Sequence, residues 1–196
     1  MGTLFCILGK SSVGKDTLFK SIVEDEAIGI APIIPHTTRP KRESEVDGIH
    51  YHFVSEPFME QLERENKIIE KRQYDTVNGV WHYFTAAFDI ASDQNFITIT
   101  TPYALGKLAQ KVGKENIAVV YLQADDNVRL ARSIARESRE KQPNYSEVCR
   151  RYLADEEDFK SANLFCGFTL FTIDANQDPA ACLSQFKDIL KGRSPM

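Results

Sequence analysis

The feature that most constrains this chain is the stretch Gly9-Lys10-Ser11-Ser12-Val13-Gly14-Lys15-Asp16-Thr17, directly after the apolar run Leu4-Phe5-Cys6-Ile7-Leu8. Leu18, Phe19, Ile22 and Val23 then recur at helical spacing, so the order is strand, glycine loop, helix. A loop that opens and closes on glycine can turn its backbone N–H groups toward an anion. The helix N-terminus adds positive dipole, and Lys15 supplies a cation for the outer phosphates. Gly9, Ser11, Ser12, Val13, Gly14, Lys15, Asp16 and Thr17 are therefore expected to line a nucleoside triphosphate site. A merely structural turn would need neither the lysine after the second glycine nor the apolar strand before the first. The position after the lysine, where a magnesium-ligating hydroxyl is usual, carries Asp16, with a hydroxyl one place later at Thr17. Asp16 and Thr17 are the candidate metal ligands, with Asp16 as a simple helix-end charge the competing reading.

Apolar runs suited to buried parallel strands recur at 4–8, 30–34, 96–100, 117–122 and 168–173. Helical patterns at 15–24, 102–112, 126–139, 145–160 and 179–191 separate them, which predicts an α/β sandwich with a mostly parallel sheet. In the last helix Asp178 is the expected cap, Pro179 the first residue, and Cys182, Phe186, Ile189 and Leu190 the buried stripe. Residues 36–88 depart from this alternation. They hold a polar segment at 41–48, an alternating strand His50–Val54, a helix over 56–65 capped by Ser55, and strand-like pieces at 68–74 and 81–85. The expectation is a core of 1–35 and 89–196, with 36–88 as a small β-rich insertion that receives a second substrate.

With 196 residues, 42% of them hydrophobic, the chain suits one well-cored domain rather than two of ordinary size. A net charge of −4 argues against nucleic acid as a partner. No apolar run approaches a membrane span, and the first residues lack a secretory pattern, so a cytoplasmic location is expected. Cys6, Cys149, Cys166 and Cys182 have no metal-ligand spacing and read as reduced packing residues. His36, His50, His52 and His82 likewise read as ordinary strand polar residues.

Cations cluster in two places. Arg129, Arg132, Arg136 and Arg139 recur at steps of three, four and three, and Arg150 and Arg151 follow on the next helix. This predicts a cationic lid over about 129–151, with a salt-bridged surface stripe as the alternative. The other cluster is Thr37-Thr38-Arg39-Pro40-Lys41-Arg42, followed by Tyr51 in a strand, a set suited to a phosphate monoester. Glu70 ends an apolar run and either accepts from a base edge or pairs with Lys71 or Arg72. Tyr83 and Thr85 add hydroxyls, and Trp81 is read as core, with a stacking wall as the alternative.

With these residues assembled, the sequence resembles the guanylate kinase family. The resemblance runs over nearly the whole chain and is strongest in residues 9–18, 37–42 and 45–55 and in the Arg132/Arg136 and Val148–Tyr152 patterns. It implies a P-loop NTPase three-layer sandwich with a β-rich NMP-binding insertion and a helical lid. It also implies ATP and Mg2+ as cofactors and small nucleotides as partners, in a monomer or homodimer. By matching position, Arg39, Arg42 and Tyr51 are implied as ligands of the GMP phosphate, Glu70 as the reader of guanine N1 and N2, Tyr83 as a further phosphate ligand and Thr85 as a base contact. Lys15, Arg39, Arg132, Arg136 and Arg151 are implied to act on the reacting phosphates. The sequence departs from the family at Pro35, where a base-contacting serine is usual, and at Thr98, Ile99, Thr100 and Thr101, where acidic residues are usual. These departures leave open another phosphorylated acceptor, such as a ribose bisphosphate. A non-catalytic interaction module on the same fold is the other alternative.

Overall fold

The computed structural model describes residues 2–41, 45–76, 79–88, 93–161 and 163–193. The run Leu4–Leu8 forms strand β1, and all five residues are buried, so both of its faces must be covered. Its side chains divide by the period of two that a strand dictates. Phe5 and Ile7 pack with Leu18 and Ile22 of helix α1 (Lys15–Glu24) and with Phe186. Leu4, Cys6 and Leu8 pack on the opposite side with Leu105, Leu108 and Val112.

The chain continues through β2 (Ala31–Pro32), β3 (His36–Thr37), β4 (His52–Phe53), α2 (Glu56–Arg64), β5 (Ile68–Thr76) and β6 (Gly79–Ala86). It then runs through β7 (Phe96–Ile99), α3 (Pro102–Val112), β8 (Ile117–Gln123), α4 (Asp126–Glu137), α5 (Tyr145–Asp158), β9 (Thr169–Asp174) and α6 (Pro179–Arg193). One parallel sheet has the order β2-β7-β1-β8-β9, with α1 and α6 on one face and α3 on the other. Phe186 of α6 meets Phe5 edge-on at 5.7 Å between ring centroids, and Asp178 accepts from Ala181 N at 2.9 Å to cap that helix. Because β1 lies in the middle of the sheet, the loop that leaves it opens where neighbouring connections diverge, the usual ligand crevice of open α/β sheets.

A second sheet, of order β4-β3-β6-β5, is built wholly from residues 36–86. Here β3 pairs parallel with β4 and antiparallel with β6, while β5 and β6 form a hairpin ladder from Ile68↔Ala86 to Thr76↔Gly79. Some expected elements are shorter. The strand expected over 30–34 is reduced to Ala31–Pro32 at the sheet edge, where Pro32 within it and Pro35 after it have no N–H to donate to a ladder. The strand expected over 50–54 is only His52–Phe53, because Gly48 N donates to Tyr51 O at 2.9 Å and folds the preceding residues into a turn. The helices expected to reach 139 and 160 end at Glu137 and Asp158. Cys6 and Cys182 are packing residues as expected, but Cys149 and Cys166 are exposed. The reason at Cys149 is that α5 lies on the surface and buries only Val148.

Candidate active site

Leaving β1, the chain passes through Gly9, where an added Cβ would lie 2.6 Å from Leu122 O and 2.9 Å from Val13 Cγ1. Only glycine lets the loop pass this close to β8. Gly14 caps α1 in the left-handed region, with φ 111°, and no side chain covers the first amides of the helix. Lys15 folds back so that Nζ donates to Gly9 O at 2.7 Å and Lys10 O at 3.0 Å. Burial lowers its pKa from an ordinary 10.5 to about 8, only partly countered by Asp16 and Asp155. Ser12, at φ 61°, shares a hydrogen bond with Ser133 at 2.8 Å between hydroxyl oxygens. Ser11 N donates to Asp155 Oδ2 at 2.7 Å, and Lys10 Nζ donates to both oxygens of Glu156 at 2.6 and 2.7 Å. Thus two carboxylates of α5 rest against a loop whose amides suit anions. Val13 is buried beneath the loop, while Asp16 and Thr17 are at its exit, both exposed. The Asp16 carboxylate has no hydrogen-bond partner among the described residues.

Beside this loop is a cleft of about 370 Å³, whose lining includes Gly14, Lys15, Thr17, Arg132, Arg136 and Gln177. Arg132 Nη1 donates to Ala175 O at 2.9 Å and Val13 O at 3.4 Å, which fixes α4 against the loop. Arg136 is exposed at the mouth of the cleft, and Arg151 is an exposed residue of α5 whose charge helps lower the Lys15 pKa. Arg129 does not join them on an open stripe. It is only 2% exposed, with Nη2 bonded to Asp126 at 2.6 Å and Glu156 at 3.1 Å, Nη1 3.6 Å from Asp155, and its guanidinium over the Tyr152 ring at 5.0 Å. A buried cation needs such partners, and here they tie α4 to α5.

The second cluster lies on one face of the smaller sheet. Cross-strand pairing sets Glu70 opposite Thr85, Arg72 opposite Tyr83 and Tyr74 opposite Trp81, and residues two apart along β5 share a face. Glu70 is buried; Oε1 accepts from Thr85 Oγ1 at 2.8 Å and Oε2 from Arg72 Nε at 3.3 Å. Arg39 is buried too. Its Nε donates to Tyr83 Oη at 3.0 Å, and its Nη1 and Nη2 fork onto Glu45 at 3.0 and 2.7 Å. The Tyr51 ring packs edge-on against Tyr83 at 5.5 Å, with the Arg39 guanidinium 5.8 Å from its centroid. Burial raises the Tyr51 hydroxyl above its ordinary pKa; the charges of Tyr83 and Asp16 push the same way. Asp16 therefore acts electrostatically on both Lys15 and Tyr51.

The structure brings together Arg39, Tyr51, Tyr83, Glu70 and Thr85, whereas Arg42 lies outside the described residues. Sequence reasoning missed Glu45, which clamps Arg39, and treated Arg72 only as an alternative partner for Glu70. The spacing of Arg72, two residues after Glu70 in an extended segment, was the signal that it shares the Glu70 face.

A family model described as guanylate kinase matches residues 1–159. The chain belongs to the guanylate kinase family. Among curated relatives, a guanylate kinase of Histophilus somni is 40% identical over 90 residues, or 45% of this chain and 42% of that protein. One of Thermus thermophilus is 41% identical over 73 residues, covering 37% of this chain and 32% of that protein. One of Schizosaccharomyces pombe is 41% identical over 64 residues, covering 33% and 32%. The matched stretches thus span less than half the length of these relatives. A solved guanylate kinase of Anaplasma phagocytophilum shares the fold, with a TM-score of 0.67 at 12% identity over 100% of this chain and 87% of that one.

Proposed function

We propose that this chain transfers a phosphoryl group from ATP to a nucleoside monophosphate, with GMP or dGMP as the acceptor. The observation that carries the reading is the single sheet face on which Arg39, Tyr51 and Tyr83 stand beside the buried Glu70–Thr85 pair. The first group suits an anionic phosphate, and the second suits a base edge that donates hydrogen bonds. In this reading 36–88 is the acceptor-binding insertion of a core comprising 1–35 and 89–196. Residues 129–151 close over the triphosphate. An anionic oxygen of the GMP phosphate attacks the γ-phosphorus, the bond from that phosphorus to the β-bridging oxygen breaks, and GDP and ADP result. No proton has to move if the acceptor phosphate is ionised. Lys15, Arg132, Arg136 and Arg151 then hold charge spread over the transferred group and the β-phosphate.

Asp16 and Thr17 fit a magnesium ion in donor chemistry, since both offer hard oxygen atoms and the Asp16 carboxylate is unclaimed by hydrogen bonds among the described residues. No group of three or more potential metal-ligating residues is assembled among the described residues, so the remaining ligands would be phosphate oxygens and water. The ion would neutralise the donor phosphates, while Asp16 and Thr17 anchor it at the start of α1. No helix among the described residues is long and apolar enough to cross a membrane, and we place the activity in the cytoplasm.

The test is a coupled ADP-release assay across GMP, dGMP, AMP, UMP and ribose phosphates. GMP should exceed AMP by roughly two orders of magnitude in kcat/KM, because adenine lacks the adjacent N1–H and N2–H2 donors that Glu70 can accept. Equal use of GMP and AMP, or turnover of a ribose phosphate alone, would rule out the guanine assignment.

A further inference from the structure

Arg72 has no role in the reading developed so far, yet it stands in the middle of the acceptor face. Its side chain keeps 21% of its surface exposed, while that of Glu70 keeps 1%. Nε donates to Glu70 Oε2 at 3.3 Å, and Nη1 donates to Thr101 Oγ1 at 3.1 Å. Thr101 is the cap of α3, so this guanidinium is held from two sides, by β5 and by the core. A guanidinium has five N–H donors; with two engaged, three are left without a protein partner among the described residues.

The direction of each hydrogen bond fixes what can sit opposite. Across the face the order is Arg72, Glu70 Oε2, Glu70 Oε1, Thr85. Arg72 can only donate. Both oxygens of the Glu70 carboxylate already accept, from Arg72 and Thr85, and each has a lone pair beyond the one used. Thr85 gives its one hydroxyl proton to Glu70 and has only acceptor capacity left. The protein therefore presents donor, acceptor, acceptor, acceptor. The Watson–Crick edge of guanine presents acceptor at O6, then donors at N1 and N2, which is the complement in that order. Adenine, with a donor at position 6 and an acceptor at N1, opposes it at both.

We propose that Arg72 is a specificity-determining residue that donates to O6 of the guanine base, so that Arg72 and Glu70 read one base edge together. The inference rests on the guanine-nucleotide reading above. Pro35, at the entrance to β3, offers no donor, which leaves the position-6 oxygen to Arg72.

The 6-thio analogue of GMP separates this role from a scaffolding one, because it keeps N1–H and N2–H2 and replaces O6 with sulfur, a weak acceptor. Wild-type protein should prefer GMP over the thio analogue by about tenfold or more in kcat/KM. Arg72→Leu should lower kcat/KM for GMP by about ten- to hundredfold and leave the thio analogue within about threefold, so that the preference vanishes. Arg72→Lys, which keeps a donor and a charge, should recover part of the preference, and the KM for ATP should stay unchanged in both variants. An equal fall for GMP and the thio analogue in both variants would make Arg72 a tie between β5 and α3 and overturn the proposal. A preference that survives in Arg72→Leu would overturn it as well. Failure of the underlying reading is distinct, since wild-type protein would then show no turnover of GMP or dGMP before any substitution is made.

Discussion

Replacing Lys15 with methionine should abolish phosphotransfer and, at the same time, make the ligand-free protein more stable. The ammonium is held against Gly9 O and Lys10 O, and burial takes its pKa from 10.5 to about 8. At 1.36 kcal/mol per pH unit, that displacement corresponds to about 3 kcal/mol of cost for keeping the charge in the folded state. The residue as a whole is only partly buried, and methionine forfeits two hydrogen bonds, so the net gain expected of Lys15→Met is about 1–2 kcal/mol. The pH dependence follows from proton binding. Between pH 8 and 10.5 the unfolded chain holds a proton on Lys15 that the folded chain has released, so wild-type stability rises across this window. The variant lacks this rise. Urea unfolding of both proteins at pH 7 and through pH 8–10 reads the difference directly, with all other groups cancelling between them. A Lys15→Met protein less stable than wild type at pH 7, or parallel pH profiles, would refute the argument that this lysine is stored at a cost to folding.

Asp16→Ala should raise the magnesium needed for half-maximal turnover at saturating ATP by about tenfold or more, whereas an unchanged requirement with a small loss of Tm would make Asp16 a helix-end charge. His36 is enclosed between His52, at 4.7 Å between ring centroids, and Phe84, at 4.9 Å, and its Nδ1 has no partner among the described residues. Burial, reinforced by the charge of His52 and opposed by Asp47, lowers its pKa from 6.5 to about 4. Below pH 6.5 the unfolded chain takes up a proton that folded His36 refuses until about pH 4, so stability should fall as pH drops through this window. The two pH units between 6.5 and 4.5 correspond to about 3 kcal/mol, which the partial exposure of His36 reduces, so His36→Phe should flatten that part of the profile by about 1–2 kcal/mol, as read from thermal melts at pH 4.5 and 7.

The larger sheet was legible because parallel strands covered on both faces leave unbroken apolar runs, and residues 4–8 and 117–122 are such runs. The glycine loop was legible because its geometry depends on residue type at fixed spacing. The arginine stripe was legible only in part. A spacing of three and four puts Arg129, Arg132 and Arg136 along one side of α4, but does not reveal that Asp155 and Glu156 of α5 wait opposite the first of them. The acceptor face was the hardest to see. Its membership depends on the register of β5 against β6, which sets Arg72 beside Glu70 and opposite Tyr83, and register is a property of two segments at once. Glu45 was hidden for a related reason, since the polar composition of 41–48 does not reveal which of its charges pairs with Arg39.

The two glycines of the phosphate loop would drift differently in a lineage that stopped binding nucleotides. Gly9 is held by the scaffold itself, because any side chain there meets Leu122 O at 2.6 Å whether or not a phosphate is present. A Cβ at Gly14 meets nothing within 4 Å, so only the left-handed start of α1 keeps that position glycine. Once the amides of α1 no longer serve an anion, the start of that helix can relax and Gly14 can change, while Gly9 persists as a relic of packing. Among descendants of this fold, retention of Gly14 is therefore the more telling record of a living triphosphate site, and retention of Gly9 records only that β1 still passes β8.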